Sequence, residues 1–141
     1  MGKEKQNIEW FDTIVGKSVH IDGRLVVGKS VRLDGTIVGD IEKASTDIQP
    51  TVAVGKTGKI EGNIKSHKVI VAGTVVGNIY AEEQVILNST STVKGDVSYK
   101  SLSVEEGAEV LGSMIKKDGI KVITQSPLDL FNDIFSNSKG K

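Results

Sequence analysis

The stretch from residue 60 to residue 79 carries the pattern that decides the fold, and it reads IEGNIKSHKVIVAGTVVGNI. It begins and ends on the same five-residue unit, at 60–64 and 75–79, in which a glycine stands midway between two apolar residues. Between these units, Val69 and Val71 follow the apolar-any-apolar order of a strand that buries one face. The stretch therefore predicts short strands joined by tight corners.

The glycine unit occurs six times along the chain. Its central residues are Gly23, Gly39, Gly62, Gly77, Gly95 and Gly112, which are separated by 16, 23, 15, 18 and 17 residues. The strand pattern between the units recurs as Val31-Leu33, Val52-Val54, Val69-Val71, Val85-Leu87 and Leu102-Val104. Strands that return at a long period are typical of a solenoid. We therefore predict an all-β, single-domain parallel β-helix of about six coils over residues 13–117.

Two details of the repeat stay open at the level of sequence. The central glycine is either an inward position where the tube is narrow or a bend that needs a residue without a side chain. The 23-residue spacing exceeds the others, and its excess falls in residues 42–50, which include Pro50. We interpret residues 42–50 as an insertion loop at one corner, either a binding element or surface decoration.

Composition limits the functions that the chain can have. Lysine plus arginine and aspartate plus glutamate both number 18 in 141 residues, so the basic surface typical of nucleic-acid-binding proteins is missing. The absence of cysteine excludes disulfides and thiolate metal sites, and two histidines are too few for a three-histidine site in one chain. We expect no nucleic-acid partner, metal or cofactor.

One motif imitates a nucleotide site. Residues 23–30 match the phosphate-binding loop pattern G-x-x-x-x-G-K-[ST], which has meaning only between a strand and a helix. Residues 31–35 instead alternate like a strand, and the β-branched interior of the motif disfavours a phosphate nest. With no serine, histidine and aspartate at a persuasive catalytic spacing, we predict that the chain binds no nucleotide, has no catalytic residues and is not an enzyme.

The N-terminal segment, residues 1–12, is predicted to be flexible. It has no apolar stretch after its lysines, so it is not a secretory signal. Ile8, Trp10 and Phe11 are candidate membrane contacts, because tryptophan favours the lipid interface, and capping of the first coil is the alternative. The charges of this segment are mixed and do not form a polybasic tether.

The C-terminal tail, residues 118–141, is predicted to contain a short amphipathic helix over about 127–136. Ser126 is a suitable N-cap and Pro127 suits the first helical position. The apolar face of the helix consists of Leu128, Phe131, Ile134 and Phe135. This helix would cap an open end of the solenoid, dock on a partner or rest on a lipid surface.

The repeats resemble the bactofilin family over about residues 13–114. The runs that carry the resemblance are residues 13–16, 19–23, 31–41, 55–64, 69–79, 93–97 and 102–108. The resemblance implies a right-handed, triangular β-helix that polymerises end to end, without nucleotide, into non-polar cytoskeletal filaments. It further implies a cytoplasmic location at the inner face of the bacterial inner membrane. There the filaments would scaffold cell-wall remodelling enzymes and determinants of cell shape, appendages or polar localisation.

The open ends of a solenoid independently favour self-assembly, because each exposes unpaired backbone groups and a slice of the core. If like ends meet, the contact is isologous and the filament has no polarity. The predicted interface residues are Ile14, Val15, Val19 and Ile21 in the first coil and Leu102, Val104, Val110, Leu111 and Met114 in the last coil. The alternative is that they are only terminal core residues. The position of Val110 is often a bulky aromatic in the family that the repeats resemble.

Two other functions stay open. One is a non-polymerising adaptor that recruits a partner through its tail helix. The other is a hexapeptide-repeat acyltransferase, whose left-handed coils need a regular 18-residue period and usually a histidine at a subunit interface. The observed spacings of 15 to 23 residues count against the acyltransferase.

Overall fold

The computed structural model describes residues 11–117, and this part of the chain consists of short β-strands joined by corners. The strands are β1 (Thr13–Val15), β2 (His20–Asp22), β3 (Leu25–Val27), β4 (Val31–Leu33), β5 (Thr36–Val38), β6 (Ile41–Lys43), β7 (Thr51–Val54), β8 (Lys59–Glu61), β9 (Ile64–Val71), β10 (Thr74–Val76), β11 (Ile79–Leu87), β12 (Thr92–Lys94), β13 (Val97–Tyr99), β14 (Ser101–Val104), β15 (Glu109–Leu111) and β16 (Met114–Lys116).

The strands form six stacked coils with three faces. Face 1 consists of β1, β4, β7, the second halves of β9 and β11, and β14. Face 2 consists of β2, β5, β8, β10, β12 and β15. Face 3 consists of β3, β6, the first halves of β9 and β11, β13 and β16. Every pair of neighbouring strands is parallel, so the predicted six-coil parallel solenoid is confirmed.

The core lies inside the tube and is built from columns of in-register side chains. On face 1 one column runs through Val31, Val52, Val69 and Val85, all of them buried. Face 2 contributes a column of Ile37, Ile60, Val75 and Val93, and face 3 one of Ile41, Ile64, Ile79 and Val97. Each such side chain contributes roughly 1.5–3 kcal/mol when it is fully buried. The alternation predicted from the sequence is therefore the one that the fold uses.

The repeat glycines stand at the corner between faces 2 and 3, and of the two readings left open by the sequence the structure favours the bend. Gly77 has a φ of 150°, which side chains rarely adopt, so the corner is a bend. A Cβ at Gly77 would also lie 2.0 Å from the carbonyl oxygen of Gly62 in the preceding coil. The corner therefore needs glycine for its backbone angle and for the close approach of the coils.

Beside these glycines runs a ladder of hydrogen bonds from coil to coil. From Asn63 onward, the backbone N–H of the residue after each repeat glycine donates to the side-chain oxygen of its counterpart one coil earlier, at 2.9 Å in all four cases, and Asp40 begins the ladder as an acceptor. The successive residues are Asp40, Asn63, Asn78, Asp96 and Ser113. This row is a structural part of the corner, since it satisfies backbone donors that the strands leave free.

The insertion begins later than the sequence indicated. Residues 42–50 were the predicted loop, but Glu42 and Lys43 still belong to β6, because they pair with Val26 and Val27 of β3. The segment without strand is therefore residues 44–50. Pro50 closes it with its carbonyl oxygen, which accepts a hydrogen bond from the buried hydroxyl of Ser66 at 2.8 Å.

Lys43 holds this insertion in place. It stands in register with the buried Val27, and only 9% of its side chain is exposed. Its ammonium donates to the carbonyl oxygens of Thr46 (3.3 Å) and Ile48 (3.1 Å) and to Oε1 of Glu82 (2.6 Å). The loop carbonyls and the Glu82 carboxylate thus replace the water that an almost buried lysine would lose.

Candidate functional site: the two ends of the solenoid

Both ends of the described solenoid present strands that are paired on one side only. In the first coil, β1, β2 and β3 pair with β4, β5 and β6. In the last coil, β14, β15 and β16 pair with β11, β12 and β13. The opposite edges of these six strands carry backbone N–H and C=O groups without a strand partner in this part of the chain. Such edges are templates for pairing with another chain.

The last coil leaves part of the core open. Val104 continues the column of Leu87, and Met114 continues that of Val97. Val104 is 48% exposed and Met114 is 39% exposed, whereas Leu87 and Val97 are fully buried. Val110 lies over Val93 and is half-buried, as is Leu102 over Val85. Within residues 11–117, the last coil therefore has the side chains of an internal coil without a covering coil that would bury them.

The outer rim of the last coil is also apolar. Leu111, on the outer side of face 2, is 63% exposed. Ile115, on the outer side of face 3, is exposed as well. Sequence reasoning missed Ile115, because its outward parity predicts a solvated position; its apolar side chain next to Met114 was the available signal.

The first coil presents a smaller apolar surface. Val15 is buried and Ile21 is half-buried, so these two predicted residues lie mostly within the coil. Val19, at the corner before β2, and Ile14, on the outer side of face 1, are exposed. Val26 on the outer side of β3 is a further exposed apolar residue that the sequence did not single out. The two ends of the solenoid therefore differ in chemistry.

Both ends carry charges of each sign, since Asp12 and Asp22 are exposed in the first coil and Lys100, Lys116 and Lys117 in the last. The corner between faces 1 and 2 nevertheless differs between the two ends. Three exposed carboxylates cluster at the corner between β14 and β15 of the last coil: Glu105, Glu106 and Glu109. Exposed cations, Lys17, Arg24 and Lys29, lie at the corners of the first coil. Glu105 is also a structural residue, since its side chain accepts a hydrogen bond from the backbone N–H of Ser89 at 2.8 Å.

The remaining candidates are distributed as follows. Phe11 is half-buried beside face 1. Ile8 and Trp10 lie outside the described residues, as do all four residues of the predicted tail helix: Leu128, Phe131, Ile134 and Phe135. Within residues 11–117 no helix has the length and apolar character needed to cross a membrane. The same residues contain no cluster of three or more histidine and carboxylate side chains that would hold a metal ion.

The stretch that imitates a phosphate-binding loop forms part of the coil. Its residues 25–27 are strand β3, and β4 begins at Val31 immediately after the motif. The Ser30 hydroxyl accepts the backbone N–H of Thr51 at 3.0 Å, which ties the corner to the next coil. The predicted strand after Ser30 is therefore confirmed.

Comparison with protein-family models adds the deciding observation. The bactofilin model, described as polymer-forming cytoskeletal, matches residues 13–115, which are the six coils. The chain belongs to the bactofilin family. The resemblance noted in the sequence is thereby confirmed, and this bactofilin is a polymer-forming cytoskeletal protein of a family without a catalytic role.

Two bactofilins of Myxococcus xanthus (strain DK1622) are similar to this chain. Bactofilin BacO is 28% identical over 111 residues, which cover 79% of this chain and 84% of BacO. Bactofilin BacP is 33% identical over 101 residues, which cover 72% of this chain but only 40% of BacP. No solved structure matches the chain.

Proposed function

We propose that this bactofilin assembles end to end into non-polar filaments, first coil on first coil and last coil on last coil, without nucleotide. The observation that carries the proposal is the exposed end of two core columns in the last coil, where Val104 and Met114 lie open above the buried Leu87 and Val97. Covering such side chains contributes up to roughly 1.5–3 kcal/mol each. A second copy would supply the missing coil.

The backbone favours the same assembly. A two-fold axis perpendicular to the solenoid reverses the strand direction, so strands of two like ends would meet antiparallel. Antiparallel pairing is slightly more stable per residue than parallel pairing, and an isologous contact uses the same surface on both copies. A filament built from like-end contacts needs two self-complementary ends per chain, because one such end alone yields only dimers.

The filament would leave the three outer faces available to partners. We propose that these faces scaffold cell-wall remodelling enzymes or other membrane proteins at the cytoplasmic face of the inner membrane. Ile8, Trp10 and Phe11 are the proposed membrane contact. One such anchor is weak, but its repetition along a filament multiplies the attachment without any new contact.

A matched pair of substitutions tests the proposal. Val104→Lys places a cation on the end of the last coil, whereas Val76→Lys makes the same change on the outer side of face 2 in the fourth coil. Both valines are exposed, at 48% and 38%, so both variants should fold. Circular dichroism and thermal melting would check this.

Sedimentation velocity and negative-stain electron microscopy without nucleotide then give the readout. We expect filaments from the wild type and from Val76→Lys, and discrete dimers joined by their first coils from Val104→Lys. Filaments of unchanged length from Val104→Lys would contradict the proposed use of the last coil. A monomeric wild type would contradict end-to-end assembly altogether.

A further inference from the structure

One strand at the edge of the first coil carries two outward side chains of opposite charge. His20 and Asp22 are the first and last residues of β2 and are exposed, whereas Ile21 between them is half-buried and packs against the core. On one side β2 pairs with β5, which places Thr36 beside His20 and Val38 beside Asp22. In the part of the chain that the structure describes, the other edge of β2 has no strand partner, so a second copy would meet that edge.

The backbone of β2 presents the same two residues to the free edge. Val19, just before the strand, accepts a hydrogen bond from the second coil at 3.0 Å, and Gly23, just after it, donates one to that coil at 2.9 Å. Successive residues of a strand turn their N–H and C=O groups to opposite edges. The backbone groups of His20 and Asp22 therefore point toward the free edge, where an antiparallel strand would pair with them.

A two-fold axis perpendicular to the solenoid passes through one face and exchanges the other two, so two first coils can meet in three ways. With the axis through face 1, β2 of one copy lies against β3 of the other, and with the axis through face 3 it lies against β1. Both arrangements bring an exposed apolar side chain, Val26 or Ile14, against the charged outer positions of β2. With the axis through face 2, β2 lies against itself and β1 lies against β3.

We infer that two first coils meet with the two-fold axis through face 2, so that β2 pairs antiparallel with β2 of the second copy about Ile21. His20 of each copy then lies opposite Asp22 of the other, which gives two equivalent imidazole–carboxylate pairs. Ile14 and Val26, which are 63% and 46% exposed, lie opposite each other across β1 and β3. Side chains that are directly opposite have Cβ atoms about 4.5–5.5 Å apart, within reach of both contacts. The inference rests on the proposed like-end assembly and specifies how its first-coil contact is made.

The contact should respond to pH, because histidine ordinarily changes its charge between about pH 5 and 8. A protonated imidazole attracts the carboxylate opposite, so this contribution is present at the acidic end of the range and is lost as the pH rises. Other charged groups stand at both ends of β2, at the corresponding corners of the second coil and on face 2 of the third coil: Lys17, Arg24, Asp34, Asp40, Lys59 and Glu61. Side chains of these types ordinarily keep their charge over this range. His20 is therefore the group near this edge whose charge changes.

Sedimentation equilibrium of Val104→Lys measures the contact alone, because this variant is expected to form dimers joined by their first coils. From two opposite-charge pairs, we expect a dissociation constant roughly 2- to 30-fold smaller at about pH 5.5 than at about pH 8. Adding His20→Gln should abolish this difference, whereas adding His67→Gln, which replaces the other of the two histidines, should preserve it. A dissociation constant that does not change with pH, or a change that survives His20→Gln, would overturn the inference and leave like-end assembly intact.

Mixing two further variants, both in the Val104→Lys background, tests whether the pair forms between copies. His20→Asp gives each β2 two carboxylates, and Asp22→His gives it two imidazoles. Near pH 5.5, about one unit below the usual histidine value, each variant alone should dimerise less, because like charges then lie opposite each other. An equimolar mixture should dimerise more than either variant, since every imidazole then faces a carboxylate. Both positions are exposed, so both variants should fold, which circular dichroism would check. No gain on mixing would contradict the pairing.

A contact between unlike ends gives a different result. The column of His20 ends at Glu109 in the last coil, so a first coil stacked on a last coil would place His20 against Glu109. Wild-type assembly that loses its pH dependence in Glu109→Gln but keeps it in Asp22→Asn would therefore overturn the inference. Monomers of Val104→Lys at every pH would instead overturn the like-end assembly on which the inference rests.

Discussion

Val104 lies directly over Leu87 in the same core column, yet Val104 is 48% exposed and Leu87 is fully buried. Leu87 has a coil on both sides, whereas Val104 has no covering coil among residues 11–117. Every internal coil of the described solenoid is stabilised by its neighbours on both sides, and the last coil has one neighbour only. The assembly proposed for this bactofilin follows from that difference.

The glycine corner should tolerate no side chain. Gly77→Ala would force a φ of 150° on alanine and bring its Cβ to 2.0 Å from the Gly62 carbonyl oxygen. Strain of this kind costs about 1–3 kcal/mol, and the separation of two coils adds to it. Chemical denaturation should show a loss of at least that size. Gly28→Ala is the matched control, because a Cβ there meets nothing within 4 Å, and it should change stability by less than about 0.5 kcal/mol.

The ladder beside the glycines should depend on its side-chain acceptors. Asn78 accepts the backbone N–H of Asp96 through Oδ1, so Asn78→Ala leaves that donor without its partner. Because this hydrogen bond is exposed and water can replace the acceptor, we expect a loss of about 0.5–1.5 kcal/mol in the free energy of unfolding. Asn78→Asp keeps an acceptor at the same place and should cost less. Equal losses for the two variants would argue against the ladder as a source of stability.

The insertion should loosen in acid. The hydrogen bond from Lys43, followed by smaller contributions that include His67, lowers the pKa of Glu82 below its usual value of 4.5. A carboxylate with a lowered pKa in the folded state stabilises the fold above its unfolded pKa, and this stabilisation disappears as the pH falls through the folded value. The stability difference between the wild type and Glu82→Gln should therefore be present at neutral pH and vanish well below pH 4.5. In a Lys43→Met background, Glu82→Gln should no longer produce this pH dependence.

Ionic strength should separate like-end from unlike-end assembly. Contacts between two last coils bring the carboxylates of Glu105, Glu106 and Glu109 from both copies into one interface, so salt that screens their repulsion should promote assembly. Contacts between a last coil and a first coil would instead bring these carboxylates over the equivalent corner of the first coil, where Lys17 is the charged residue, and salt would weaken them. Light scattering between low and moderate salt distinguishes the two, and a decrease with salt would contradict like-end contact.

The repeat was readable from sequence because its signals are local. Alternation within three to five residues predicts strands and core columns, and a returning glycine such as Gly77 predicts the corners. Lys43 could not be read in this way, because its partner Glu82 is 39 residues away and two coils further along the stack. The corner inside β9 was also hidden, since it turns near Ser66 and His67 without glycine or proline.

The candidate site was predictable only in part, for a related reason. Parity identifies which side chains face inward, and it correctly placed Val104 and Met114 on core columns. Parity does not report how much of a terminal coil stays exposed. It therefore could not predict that Val15 is buried although it belongs to the first coil. On face 1, an outward apolar pair of Ile70 and Ile86 appears only when coils are stacked in register, because its members are 16 residues apart in sequence.

Cross-linking of single-cysteine variants tests the central claim, like-end assembly, most directly. The chain contains no cysteine, so Val104→Cys introduces one thiol at the last coil and Val76→Cys introduces one at mid-solenoid as a control. With a short bis-maleimide, like-end assembly predicts covalent dimers from Val104→Cys and none from Val76→Cys. The contradicting result is that Val104→Cys alone gives no dimers, while a chain that also carries Val19→Cys in the first coil gives a ladder of covalent oligomers, which would show that unlike ends meet.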